Sequence, residues 1–163
     1  MGLRERLRAR PRPSVPCRVQ IDDPTEAKHR LEESLIALRM AQVRGDGDVA
    51  ALTGAAEQAR HAVDACYEEI RTTALEHDDL EALIGEHPPR AGTDDESWND
   101  DTFPRALWIA CAPADVMTAD EWGAWLDGHT SDGERAAFFT AALKVNMRAP
   151  DGAIPKGWTQ TPG

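Results

Sequence analysis

Residues 49–70 read VAALTGAAEQARHAVDACYEEI, and their spacing decides the fold. Val49, Leu52, Ala56, Ala59, Val63, Cys66 and Ile70 recur at alternating intervals of three and four. That is the seam of a helix packed along its length against another helix. The small residues at its middle allow a close approach. The preceding segment supplies the partner. Asp22-Asp23-Pro24-Thr25 starts a helix, with Asp23 as cap and Pro24 at the first helical position. The helix runs to about Arg44 with Leu31, Leu35, Leu38 and Gln42 along one side, and Gly45-Asp46-Gly47-Asp48 stops it. A turn this short predicts an antiparallel helical hairpin.

A hairpin returns the chain to where it began, so the flanking segments are expected to meet. Residues 14–21 alternate, with Val15, Cys17, Val19 and Ile21 on one face and Pro16 on the other. This reads as a half-buried edge strand. Residues 69–75, with Ile70, Thr72 and Ala74 in alternation, read as its antiparallel mate. The expected fold class is mainly α with a small β element: a strand–long helix–long helix–strand hairpin unit, followed by a short multi-helix C-terminal segment.

The expected organisation is a basic N-terminal arm over 1–13, and the hairpin unit plus a short helix over 14–87. An acidic, solvated linker over 88–101, a small helical segment over 102–148 and an extended tail over 149–163 complete it. In the helical segment, Phe103, Leu107 and Cys111 mark one helix face. Thr118-Ala119-Asp120-Glu121 and Ser131-Asp132-Gly133-Glu134 are capping boxes that open two further helices.

Composition narrows the function classes. The chain has 163 residues and 26 alanines but only three Phe and one Tyr, so its core is thin and leans on a partner or on self-association. Net charge is −11 and uneven: residues 1–20 carry +5, the rest −16. An acidic body repels phosphates, which argues against direct nucleic-acid binding. The longest apolar run, Ala106–Ala112, is far short of the roughly 20 residues a membrane span needs. The N-terminus has no apolar signal region, and three scattered cysteines fit a reducing compartment, so a cytoplasmic protein is expected.

The residues supply no catalytic constellation. His77-Asp78-Asp79 with His87 is the best metal candidate, and helix-start and helix-stop roles account for it. Glu32-Glu33 and Glu68-Glu69 diverge on helices, and neither Cys66 nor Cys111 has a local His to activate it. The reading is a non-enzyme without cofactor or metal. The five tryptophans, all after residue 97, are more informative. Trp122 and Trp125 read as core. Trp108, with Ile109, spills beyond the Phe103–Leu107–Cys111 face and is expected at its edge, and Trp158 lies in the tail. Aromatic side chains at such edges serve as binding contacts, so Trp108, Ile109 and Trp158 are the candidate protein-binding residues.

A wider pattern joins these pieces. Ala74-Leu75, Leu80–Ile84 and Glu86-His87-Pro88-Pro89 precede the acidic stretch. Trp98-Asn99, Thr102-Phe103-Pro104, Ala106-Leu107 and Ala110-Cys111 follow, and Asp132-Gly133-Glu134 and Val145-Asn146 come late in the chain. Over most of residues 10–148 this resembles the tail assembly chaperones of long-tailed phages and prophages of actinobacteria. The resemblance implies binding of the tape-measure protein, which is kept soluble while tail tube subunits polymerise around it, in the host cytoplasm. It implies no catalytic or metal residues. Two other classes share the composition: a structural virion protein, such as a minor tail or connector component, and a small acidic regulatory or DNA-mimic protein.

Overall fold

A computed structural model describes residues 2–45 and 47–147. Among them the protein is mainly helical, with seven helices and one two-stranded antiparallel sheet. In chain order these are α1 (Leu3–Arg8), β1 (Ser14–Gln20), α2 (Thr25–Arg44), α3 (Val49–Asp64) and β2 (Tyr67–Thr73). Then come α4 (His77–Glu86), α5 (Phe103–Cys111), α6 (Ala119–His129) and α7 (Asp132–Asn146). The expected tail over 149–163 and its Trp158 lie outside the described residues.

β1 and β2 pair with each other. The flanking bonds set their register: Ile21 N–H donates to the Cys66 carbonyl at 2.9 Å and Ala74 N–H to the Pro13 carbonyl at 2.9 Å. Val15 then faces Thr72, and Cys17 faces Ile70. In this phase the odd-numbered residues of β1 bond inward, so Pro16 sits where no ladder donor is lost. Cys17, Val19 and Thr72 are buried. Ile21, expected on the same face, lies beyond the strand and is exposed.

The chain divides into two compact units. One is Pro16–Ile70, the hairpin; the other joins the residues before it to those after it. This differs from the expected boundary at 87–88, because α4 packs on α5 and belongs with the C-terminal helices.

Within the hairpin unit α2 packs along α3. Gly45 ends α2 in the left-handed region at φ 68°, and its N–H donates to the Ala41 carbonyl at 2.9 Å. Only glycine holds that conformation without a Cβ penalty. Asp48 caps α3 by accepting from the Ala51 N–H at 3.0 Å. At the head of α2, Pro24 is the cap residue rather than the first helical one, and Asp23 accepts from both the N–H and the hydroxyl of Thr25. The seam is shorter than its periodicity. α3 stops at Asp64, Cys66 lies in the turn, and Ile70 belongs to β2. Small residues fill the interior, with Ala41 and Ala56 buried and Leu31, Leu38, Leu52, Ala59 and Val63 only half-buried.

The other unit has the larger core. α5 packs on α4, α6 and α7. Phe103, Leu107, Trp108 and Leu126 are fully buried. Both expected capping boxes are present: the Thr118 hydroxyl accepts from Glu121 N–H, and the Ser131 hydroxyl from Glu134 N–H. Residues 88–101, expected as a solvated linker, form an irregular and largely exposed segment that is tied down at several points. Arg90 donates to Asp95 at 2.8 Å and also pairs with Asp101. Trp98 stacks on Phe103 with ring centroids 4.6 Å apart, and Asn99 N–H donates to the His87 carbonyl.

Candidate partner-binding surface

Trp108 is not at an edge. Its side chain has no exposed surface, and its ring packs against Trp122 at 5.4 Å, Trp125 at 6.2 Å and Phe138 at 5.0 Å. The physical reason is that α5 touches two later helices, α6 and α7, rather than one. Its buried arc is therefore wide enough to take both Leu107 and the neighbour rotated about 100° from it. The indole Nε1 of Trp108 has no hydrogen-bond partner among the described residues. Trp122, edge-on to it at 84°, offers an aromatic environment instead. A ring enclosed in this way is unable to meet a partner in the folded chain. Ile109 stays half-buried, in a groove floored by α5 and α6 residues. Trp158 lies outside the described residues.

The residues weighed for chemistry are dispersed. Among the described residues no group of three or more His, Cys, Asp or Glu side chains converges on one point. His87 Nδ1 lies 2.9 Å from the Thr102 hydroxyl and helps to anchor the 88–101 segment. Cys111 is buried, and the loss of water around it pushes its thiol pKa up, against a donor bond from Asn146 Nδ2 at 3.2 Å. That is the setting of an inert thiol. Cys66 is half-buried and donates to the Ala62 carbonyl at 3.4 Å.

Exposed apolar side chains concentrate elsewhere. On α2, Ile36 (57 % exposed), Met40 (46 %) and Val43 (80 %) follow at i, i+4 and i+7. This line runs about 140° round from the Leu31–Leu35–Leu38 line, so the packing of α3 leaves it uncovered. It spans roughly 10 Å of helix. Beside it, a shallow cavity of about 360 Å³ along α2 is lined by Leu31, Leu35 and Ile36, with Lys28, Glu32 and Arg39 at its rim. Sequence reasoning missed this surface because the inner leucine line alone accounts for a hairpin. The signal was present as a second apolar line at the same period. A further apolar recess, of about 570 Å³, lies between the start of β1 and the end of α7.

Electrostatically, the hairpin carries a few local, exposed pairs. Arg18 binds Asp64 at 2.8 Å and lies over the Tyr67 ring, and Arg30 pairs with Glu26 one turn away. These are exposed pairs, worth little to stability. No helix among the described residues is long and apolar enough to cross a membrane. Comparison with protein-family models, with curated proteins and with solved structures gives no match.

Proposed function

We propose that the protein is a non-enzymatic tail assembly chaperone of a long-tailed phage, acting in the host cytoplasm. It binds the helical tape-measure protein and keeps it in solution while tail tube subunits polymerise. The observation that carries this reading is the uncovered line of Ile36, Met40 and Val43 on α2. Helical clients are held by apolar lines of this kind, at i, i+4 and i+7. Burying each of these side chains contributes about 1–2 kcal/mol. The −11 net charge supports the same role, since it keeps a protein that exposes apolar surface from self-precipitating, and it disfavours direct nucleic-acid contact. The resemblance of residues 10–148 to phage tail assembly chaperones supplies the identity of the client. The tail tube protein is a second contact under this reading.

Co-expression tests it. A tape-measure segment produced alone is expected to collect in the insoluble fraction. With this protein present, its soluble yield is expected to rise several-fold. An unchanged soluble fraction, with this protein folded and abundant, contradicts the reading.

A further inference from the structure

Two features of the unit that holds the C-terminal helices are unused by the reading above, and they complement each other. The first is α1. It buries none of its residues, and Leu3 and Leu7, one turn apart on one face, are 71 % and 62 % exposed. Arg4, Arg6 and Arg8 surround them, and none of the three forms an ion pair among the described residues. The second is the groove beside Ile109, of about 600 Å³. It is lined by the small residues Ala106, Ala110, Gly123 and Ala124 and by Leu83 and Ile109, and the Arg105 guanidinium lies against Gly123, donating to its carbonyl at 3.2 Å. Of its carboxylates, Asp127 is held by Arg105 at 2.8 Å, whereas Glu86 and Asp120 have no ion-pair partner among the described residues.

A groove lined by small and apolar residues with unpaired carboxylates among them takes a helix that carries an apolar line between basic side chains. α1 is such a helix. We propose that α1 of one copy docks into the α4–α5–α6 groove of a second copy, with Leu3 and Leu7 inward and the arginines against Glu86 and Asp120. The charge division supports a second copy as the occupant: residues 1–20 carry +5 and residues 21–163 carry −16. Within the chain the arm is exposed and does not line its own groove, which leaves both halves open. The contact is heterologous, arm to groove, so a dimer joined by one contact retains one free arm and one free groove. One short helix buries little area, which makes the association weak and concentration-dependent. The ion pairs make it salt-sensitive.

Sedimentation velocity on the full chain tests this. The parent is expected to sediment faster as its concentration rises towards about 0.5 mM, and to return to the monomer value in about 0.5 M NaCl. Leu3→Asp/Leu7→Asp removes the arm's apolar line. Ala110→Lys, at an exposed lining position, obstructs the groove. Asp120→Lys reverses a groove charge and serves as the groove variant should Ala110→Lys fail to melt like the parent. Each variant alone is expected to stay monomeric, and an equimolar mixture of an arm variant with a groove variant is expected to form a 1:1 dimer. Such a mixture has one intact arm and one intact groove. A monomeric parent across the range, as when the arm folds into its own groove, overturns the proposal. So does a variant that associates like the parent, or a mixture that stays monomeric.

Discussion

Leu107 and Trp108 are adjacent in sequence and both fully buried, which a single narrow helix face does not allow. The apolar spacing of Phe103, Leu107 and Cys111 was legible, and all three are buried. The reach of the buried arc was not, because it depends on how many helices surround α5, a tertiary fact with no local signature. Trp108 consequently belongs to stability. Its ring stands against two tryptophans and Phe138, so Trp108→Ala leaves a large cavity. The expected loss is about 3–5 kcal/mol, read by urea or thermal denaturation. A melting curve that matches the parent would return Trp108 to the surface. Ile109, half-buried in the groove, is the one predicted contact residue that the described chain leaves reachable.

At the scale of elements, the helix ends were the most legible features. A hydroxyl three residues before a glutamate states its own hydrogen bonds, and both boxes form. Less legible was the end of α3, where the seam's period continues but the chain turns at Cys66 to pair Tyr67–Thr73 with β1. Strand pairing overrides helical periodicity there, and sequence spacing alone carries no term for it. The 88–101 segment was legible as a solvated loop from its composition, whereas the way Arg90 gathers Asp95 and Asp101 around itself was not.

These same ends titrate. The Thr118 N–H and hydroxyl hold Glu121 below the ordinary glutamate range, and the Ser131 N–H and hydroxyl do so for Glu134. Arg90, through its side chain first and its N–H second, holds Asp95 well below the ordinary aspartate range. A carboxyl whose folded pKa is depressed stabilises the fold fully above its unfolded pKa, about 4. That contribution is lost as the pH falls through the lowered folded value. The melting temperature is therefore expected to hold from neutral pH to about 5 and to fall steadily below that. Asp95→Asn should shallow the fall, since it removes one of the carboxyls whose pKa the fold depresses. An unchanged acid limb in that variant would show that the Arg90 cluster does not couple to folding.

For the whole molecule, the division of labour follows the division of the core. The largest fully buried side chains, Trp108, Phe103, Leu107, Leu126 and Thr72, all lie outside Pro16–Ile70. The hairpin is held by alanines and half-buried leucines, and it leaves Ile36, Met40 and Val43 to water. The hairpin itself was legible from its seam and its Gly-Asp turn. Its uncovered line was not singled out, because the inner leucine line alone already accounts for a hairpin. Where the chain divides was also hidden, since α4 follows β2 directly in sequence yet packs with α5. The central claim is that the α2 line is where a helical client is held. Titration calorimetry of a tape-measure segment into the parent and into Ile36→Glu/Val43→Glu tests it most directly, with melting curves run on both proteins. Because both positions are exposed, the variant is expected to melt like the parent while its affinity drops at least tenfold, about 1.4 kcal/mol or more. Equal affinity in a folded variant would contradict the claim and move the client off α2.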